Sequence, residues 1–350
     1  MKYKLPIVCF LILCLSVSAS VTTPVGTGLA KGNQPQVSVD EKGILHIIFG
    51  RGDEIYNSTS SDNGASFSAP VLVAKVSGMH LGMSRGPQLA SSKQYSIVTA
   101  MDKSGNIHWF RLNNISGKLQ NMGLINDLAG SAPEGLMHIA ADNNDHFYAV
   151  WLDIRTGKHN QVYFSALSPG AIKWSENKLI YQSPDGHVCE CCQPHIAVDG
   201  KNVAIMFRNW LNGSRDLYLT ASHNSGASFS PAEKLGINTW KLNGCPMDGG
   251  GLSIGHSSVA TTWQRQGQIY YCQPGQPEKF IGNGRGGSIV NTRSKIFVAY
   301  QSKDLLKLVN IQGNKVQMVG KGQFIKLAAL PDKQLLCVWE DDDQIFFRKL

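Results

Sequence analysis

Residues 194–210, PHIAVDGKNVAIMFRNW, decide the fold because the chain repeats the unit that they form. The unit consists of a short alternating run, a polar turn and a longer, more apolar run. This pattern is typical of two antiparallel β-strands joined by a tight turn. Copies of the unit begin at Pro35, Pro87, Met137, Pro194, Leu252, Ser288 and Ile325.

The segments between these copies predict two further strands for each unit. In the first unit they are EIYNSTS at 54–60 and SFSAPVLV at 66–73. Four antiparallel strands in a repeat of this size are typical of one blade of a β-propeller. We therefore predict an all-β propeller with seven blades, or six if a weak copy near the C-terminus is not a blade. Only QIFFRKL follows the last copy, so a strand near Ser20–Leu29 is expected to complete that blade and close the ring.

The N-terminal segment MKYKLPIVCFLILCLSVSAS has two lysines, an apolar run and then small residues. This order predicts a signal peptide over residues 1–19, followed by a single propeller domain over 20–350. No later segment has about 18 uninterrupted apolar residues, so no transmembrane span is expected in the mature chain. The protein is therefore expected to be exported, to the periplasm or the extracellular space, where disulfides can form.

The formal net charge of +8 does not indicate a nucleic-acid partner. The basic residues are scattered and form no run or stripe. A nucleic-acid-binding face requires clustered basic residues with aromatic platforms. Nucleic acid is therefore excluded from the expected partners.

Two turns share the pattern S-x-D/N-x-G-x-x-F. Its members are Ser60, Asp62, Gly64 and Phe67 in the first turn and Ser222, Asn224, Gly226 and Phe229 in the second. The pattern resembles the Asp box of bacterial sialidase-like (BNR-repeat) propellers, and a degenerate third copy ends at Trp174. We expect a structural role, in which the Asp or Asn accepts backbone hydrogen bonds within the turn. The glycine would supply a backbone conformation closed to other residues, and the aromatic ring would pack between sheets.

Sialidases of this superfamily bind the substrate carboxylate with three arginines, the first in an F/Y-R-I/L-P motif. The chain lacks that motif, and neither Arg51 nor Arg85 matches it. The propeller topology nevertheless brings the loops before each first strand and after each second strand to one rim. This rim is predicted to carry Arg51, Arg85, Asp102, Asp153, Arg155, Arg208, Arg215, Asp216, Arg265 and Arg285. Such residues could bind a carboxylate or phosphate, or could form ion pairs between blades.

Cysteines are concentrated in two loops that precede neighbouring first strands, near the expected propeller axis. One loop carries Cys189, Cys191 and Cys192, and the other carries Cys245. Three interpretations remain open: a disulfide from Cys245 to one of the others, a soft metal site for Cu or Zn, and redox exchange by Cys189 and Cys192. Additional metal ligands could come from Met83, His138 or Met247.

The CECC loop at 189–192 and the GCPMDG loop at 244–249 together resemble a group of exported bacterial BNR-repeat proteins labelled sialidase-like. The resemblance covers most of the mature chain and implies no established activity. The favoured function is binding of a glycan, a small acidic ligand, a protein or a soft metal ion at the central rim, without support for catalysis. The alternatives are a sialidase-like or other glycan hydrolase, and an interaction scaffold stapled by disulfides.

Overall fold

The computed structural model describes residues 1, 26–255, 258–292 and 294–350, and all regular structure in this part of the chain is β-strand. The strands form seven antiparallel sheets of four strands each. This arrangement confirms the predicted all-β propeller. It also decides the blade count, which is seven and not six.

The strands follow the chain in order, with β1 belonging to the last blade. The strands are β1 (Thr27–Lys31); β2 (Asn33–Val39), β3 (Leu45–Arg51), β4 (Glu54–Ser60) and β5 (Val71–Lys75) in the first blade; β6 (Gln88–Ser91), β7 (Tyr95–Met101), β8 (Ile107–Asn113) and β9 (Leu119–Leu124) in the second; β10 (Met137–Ala141), β11 (Phe147–Asp153), β12 (Gln161–Leu167) and β13 (Lys178–Tyr181) in the third; β14 (His195–Asp199), β15 (Asn202–Arg208), β16 (Leu217–Ser222) and β17 (Glu233–Lys234) in the fourth; β18 (Gly251–Gly255), β19 (Ser258–Arg265), β20 (Gln268–Cys272) and β21 (Lys279–Asn283) in the fifth; β22 (Arg285–Asn291), β23 (Ile296–Ser302), β24 (Leu305–Asn310) and β25 (Lys315–Lys321) in the sixth; and β26 (Gln323–Ala329), β27 (Leu335–Asp341) and β28 (Gln344–Lys349) in the seventh.

The first strand of each blade lies innermost, where it contacts the first strands of the neighbouring blades around the channel. These strands are β2, β6, β10, β14, β18, β22 and β26. Each of the seven predicted repeat copies coincides with one of them and the strand that follows it.

The second strands form the most buried layer of the ring. Every residue of β11, FYAVWLD, is buried, and in β3 only the last residue is exposed. A strand that is covered on both faces reads as a continuous apolar run, which is why the second half of each repeat is the more apolar one. Packing of each blade against two neighbours therefore fixes the ring.

The last blade is closed by strand β1, which pairs antiparallel with β28 and places Thr27 opposite Phe347. The predicted closing strand is confirmed, although it runs over Thr27–Lys31 and overlaps the expected Ser20–Leu29 only in part. Residues 2–25, which include nearly all of the predicted signal peptide, lie outside the described residues. Within the described part of the chain, the structure has no helix of the length and apolarity needed to cross a membrane.

Candidate functional site

A cavity of about 640 Å³ opens at one end of the central channel. Its wall is built from the beginnings of innermost strands, the loops before them and the ends of second strands, as the predicted rim requires. Arg285, Gln323 and Lys326 contribute from innermost strands, and Gln301 and Glu340 from second strands. The propeller therefore gathers side chains from blades that are distant in sequence around one opening.

Two cations face this cavity. Arg285 donates a hydrogen bond from Nε to the neutral Oε1 of Gln301 (3.2 Å). Burial lowers the pKa of Lys326 to about 8, and no carboxylate contributes to that shift. Within the described part of the chain, both cations are therefore available to an anionic ligand.

Glu340 and its partners form a polar part of the wall on strand β27, which pairs with β26, the strand of Lys326. Its carboxylate accepts hydrogen bonds from the backbone N–H of Gln34 (2.5 Å) and from Nε2 of Gln323 (3.2 Å). Burial raises the pKa of Glu340 despite these hydrogen bonds. The same carboxylate thus holds the Gln323 amide at the cavity surface.

Asp248, in the loop before β18, organises the neighbouring part of the rim. It accepts hydrogen bonds from the backbone N–H groups of Gly250 and Gly286, both at 2.9 Å. The loop passes so close to blade four that a Cβ on Gly249 would lie 2.0 Å from the carbonyl oxygen of Gln193. A glycine is therefore required where the two cysteine-bearing loops meet.

The two loops are joined by a disulfide between Cys191 and Cys245, with a Cα–Cα distance of 6.3 Å. The disulfide interpretation thus holds for this pair, and the residues concerned belong to adjacent blades. Two cysteines of the predicted set, Cys189 and Cys192, are free and buried. Two further free cysteines, Cys272 on strand β20 and Cys337 on strand β27, are also buried.

The free thiols lie directly under the disulfide. The Sγ atoms of Cys189 and Cys192 are 3.5 Å apart, and those of Cys189 and Cys191 are 3.7 Å apart. A hydrogen bond from the Cys192 thiol, helped by the charges of Arg208 and Arg215, lowers the pKa of Cys189 to about 6. Burial raises the pKa of Cys192. Cys189 is therefore the cysteine of this pair that more readily becomes a thiolate.

Two of the predicted rim residues, Arg208 and Arg215, lie beside this cysteine cluster. Arg215 donates from Nη1 to Cys189 Sγ (3.0 Å), and its guanidinium lies 4.5 Å from the ring centroid of Trp210. Arg208 is only 1% exposed and donates to the backbone carbonyls of Asp248, Arg215 and Gln264. Asp216 accepts a hydrogen bond from the backbone N–H of Trp240 (2.8 Å).

Arg85 lines a second cavity of about 430 Å³ that shares Leu81, Gly82, Met83 and Met247 with the central one. Its guanidinium donates to the backbone carbonyl of Glu134 (2.5 Å) and lies 3.4 Å from that residue's carboxylate. Arg85 and Arg285 are thus the predicted rim arginines that reach a cavity wall.

The remaining predicted rim residues are engaged within single blades or between neighbours. Arg51 donates to the carbonyl of Lys31, Arg155 pairs with Asp127 and with the fully buried Asp153, and Arg265 pairs with Glu278. Asp102 lies 2.8 Å from His108 through Oδ2 and Nε2. None of these groups lines either described cavity.

The three additional metal-ligand candidates occupy different places. Met83 and Met247 are exposed and line the central cavity, and Met247 Sδ lies 3.1 Å from Cys245 Sγ. His138 lies in the channel wall with its ring centroid 4.9 Å from that of His195, and burial lowers its pKa to about 3. Among the described residues, the Cys/His/Asp/Glu group of three or more that could hold a metal consists of Cys189, Cys191 and Cys192.

The two repeated turns have one hydrogen-bond pattern. Ser60 Oγ donates to Asp62 and accepts from the N–H of Gly64, and Ser222 does the same with Asn224 and Gly226. The aromatic rings pack between blades: Phe67 against Phe347, Phe229 against Phe164 and, in the degenerate copy, Trp174 against Trp109. These turns lie at the outer strands, away from the central cavity.

Sequence reasoning did not single out Lys326, Glu340, Gln34 or Gln323 as site residues. A signal existed for three of them, because Gln34 and Gln323 lie at the beginnings of innermost strands and Glu340 lies at the end of a second strand, whereas Lys326 lies in the middle of β26. Strand beginnings and the ends of second strands are the positions that the predicted topology brings to the rim. The search for arginine and cysteine overlooked them because amides and a single lysine carry no motif.

Comparison with known proteins gives the fold and no family. No protein-family model matches the chain, and no curated protein matches it. Solved structures do: a polysaccharide lyase, PL25 ulvan lyase bound to GlcA(1-4)Rha3S, is 10% identical over 93% of this chain and 95% of that one, with a TM-score of 0.58.

Two further similar structures are the SapL1 lectin in complex with alpha methyl fucoside and a triple arginine-to-alanine variant of AofleA from Arthrobotrys oligospora. The first is 10% identical over 84% of this chain and 98% of that one, with a TM-score of 0.55. The second is 11% identical over 85% of this chain and 90% of that one, with a TM-score of 0.53. At these identities the likeness establishes the propeller fold alone.

Proposed function

We propose that this propeller binds an acidic glycan in its central cavity. The observation that carries the proposal is the pair of cations, Arg285 and Lys326, that face the cavity without a carboxylate partner among the described residues. The volume of about 640 Å³ lies within the range of ordinary ligand pockets. The ligand class is therefore a sugar chain that carries a carboxylate or a sulfate.

The rest of the wall suits a sugar. The Gln34 and Gln323 side chains bring amide groups to the wall, and amides can both donate to and accept from hydroxyls. The Gln301 amide is already engaged by Arg285 and by the carbonyl of Lys303. Arg285 can bind a carboxylate or sulfate through two parallel N–H donors, which a lysine cannot do. In the proposed complex Arg285 therefore orients the acidic group and Lys326 supplies a second positive charge.

The similar solved structures support a sugar ligand without determining it. One is a polysaccharide lyase bound to GlcA(1-4)Rha3S and another is a lectin in complex with alpha methyl fucoside. One fold supports many functions, so the residues that line the cavity of this chain carry the proposal.

The proposal is tested by isothermal titration with a panel of acidic and neutral oligosaccharides. Arg285→Ala should weaken binding of the acidic members about 10- to 100-fold, because a hydrogen bond to a charged group contributes about 1.5–3 kcal/mol. Neutral members should bind weakly to both proteins. The matched control is Arg51→Ala, which removes a rim arginine that does not line the cavity.

Equal losses in the two variants, or no binding of any acidic glycan by the unchanged protein, would reject the proposal. Release of new reducing or unsaturated ends during the titration would instead favour the glycan-hydrolase or lyase class. Binding that is abolished by Arg85→Ala and not by Arg285→Ala would move the site to the smaller neighbouring cavity.

We also propose that the chain is exported, with residues 1–19 removed and residues 20–350 forming one mature domain. The disulfide between Cys191 and Cys245 supports this proposal. Disulfides persist in oxidising compartments and are rare in the cytosol.

A further inference from the structure

A pair of thiols is enclosed beneath the disulfide at the channel mouth. Cys189 and Cys192 are 0% and 2% exposed, and their Sγ atoms are 3.5 Å apart. The disulfide sulfur of Cys191 lies 3.7 Å from the first and 3.9 Å from the second. The enclosure keeps a protein or a large thiol away from the pair.

The surroundings of this pair carry an excess of positive charge. Arg215 donates to Cys189 Sγ at 3.0 Å. Buried Arg208 directs its hydrogen bonds to carbonyl oxygens, and the nearest carboxylate oxygen that it pairs with, on Asp248, is 3.9 Å away. Among the residues that the structure describes, two guanidinium groups therefore face one carboxylate at this pair, and a buried excess charge requires a counter-charge.

The other two buried free cysteines lack these features. Burial raises the pKa of Cys272 to about 11 and that of Cys337 to about 12. Cys272 Sγ makes its hydrogen bonds to the backbone carbonyls of Gln273 and Gln276. Both residues serve packing, which makes them suitable comparisons for the pair at the rim.

We propose that Cys189 and Cys192 bind one monovalent copper ion as a two-coordinate bis-thiolate, while the Cys191–Cys245 disulfide remains closed. Two S–H bonds break, two Cu–S bonds form and two protons leave to solvent. Copper enters and stays as Cu(I), so no oxidant or reductant takes part. The resulting centre carries one negative charge, which matches the excess that Arg208 and Arg215 provide.

The donor set selects this ion over zinc. Structural zinc takes four ligands, usually Cys or His. The described residues offer only the three clustered cysteines, and the disulfide occupies one of them. Thiolates and thioethers select Cu(I), which is satisfied by two sulfur donors. The thioethers of Met83 and Met247 line the adjoining cavity and provide weak soft contacts for an arriving ion.

The test is an anaerobic titration of the purified full-length protein, disulfide intact, with Cu(I) held by a chromophoric chelator. One Cu(I) per chain should transfer from the chelator, with a sulfur-to-copper charge-transfer band in the near ultraviolet and only sulfur in the first shell by X-ray absorption. Zn(II) in the same assay should not be retained. Cys192→Ser should abolish one-to-one binding, and Cys272→Ser, which removes another buried thiol, should leave it unchanged.

Arg215→Met removes a positive charge beside Cys189 and leaves both thiols in place. It should weaken Cu(I) binding about tenfold, the usual effect of losing a partner of a metal ligand. Equal stoichiometry in the Cys192→Ser and unchanged proteins would overturn the proposal. So would peptide mapping that finds Cys189 and Cys192 oxidised to one another in the protein as isolated. If Cys192→Ser fails to fold, Cys192→Ala is tested in its place, and one-to-one Cu(I) binding by that variant would overturn the proposal.

Discussion

Lys326 shows how one buried side chain can set the conditions under which the central cavity binds an anion. It lies on innermost strand β26, and its charge is felt by His138 on β10 and His195 on β14. Burial lowers the pKa of both histidines, to about 3 for His138, so both are neutral at ordinary pH. Lys326, with its pKa lowered to about 8, is therefore the group of this trio that changes charge near neutrality.

Affinity for an acidic glycan should accordingly fall as pH rises through about 8. Lys326 is cationic below that pH and neutral above it, so the decrease should approach about tenfold per pH unit if its charge is essential. Calorimetry across this range measures the profile. Lys326→Arg should hold its affinity to high pH, and Lys326→Met should be weak throughout. An unchanged affinity across the range in the original protein would exclude Lys326 from the site.

At the scale of the element, the repeated turn between strands β16 and β17 also joins two blades. Gly226 has a φ of 80°, and a Cβ there would lie 2.5 Å from Cζ of Phe164 in the preceding blade. Phe229, three residues later, packs against the same ring. The turn therefore fixes both the local backbone and the contact with its neighbour.

Gly226→Ala should destabilise the protein more than Gly213→Ala does. Both glycines have positive φ, but a Cβ on Gly213 would meet nothing within 4 Å. The backbone strain is thus shared, and the clash with Phe164 should add about 1–3 kcal/mol to the loss of unfolding free energy. Urea denaturation gives the two values. Equal losses of unfolding free energy would mean that the Phe164 ring moves away from the added Cβ without cost. Partial rescue of Gly226→Ala by Phe164→Leu would show that the clash with this ring causes the extra loss.

At the scale of the whole molecule, the ring could be predicted from the sequence while the lining of its cavity could not. Continuous apolar runs such as that of β11 report burial on both faces, and their recurrence counts the blades. The repeat predicts that the loop of Cys245 lies beside the loop of the other three rim cysteines. It does not predict that Cys191 is the partner of Cys245. Which cysteine pairs with Cys245, and whether Lys326 and Glu340 face the cavity, depends on how side chains are oriented where distant segments meet. The sequence pattern does not contain that information.

The disulfide that joins the fourth and fifth blades should be present in protein recovered from the exported fraction. Cys191 and Cys245 are 54 residues apart, and the chain-entropy model gives up to about 4 kcal/mol for closing such a loop. Reduction should lower the free energy of unfolding by up to that amount. The double variant Cys191→Ser/Cys245→Ser should be equally destabilised and insensitive to reductant.

Alkylation of the denatured protein before reduction provides the matching chemical measurement. Cys189, Cys192, Cys272 and Cys337 should be labelled at once, and Cys191 and Cys245 only after reduction. Recovery of the chain solely from the cytosol, with all these thiols free, would contradict both the export proposal and the oxidised pair.

The pairing of β1 with β28 makes the assembly of this protein circular although its synthesis is linear. Strand β1 is made before every other strand of the ring but has no partner until the last one has been made. Folding intermediates therefore carry two open sheet edges, which are sites for chaperones or for pairing with another copy. The same adjacency means that a linker between the first and last strands, with new ends cut between any two blades, would preserve every strand pair. The order of the blades around the channel, and not the position of the chain ends, is what specifies the molecule.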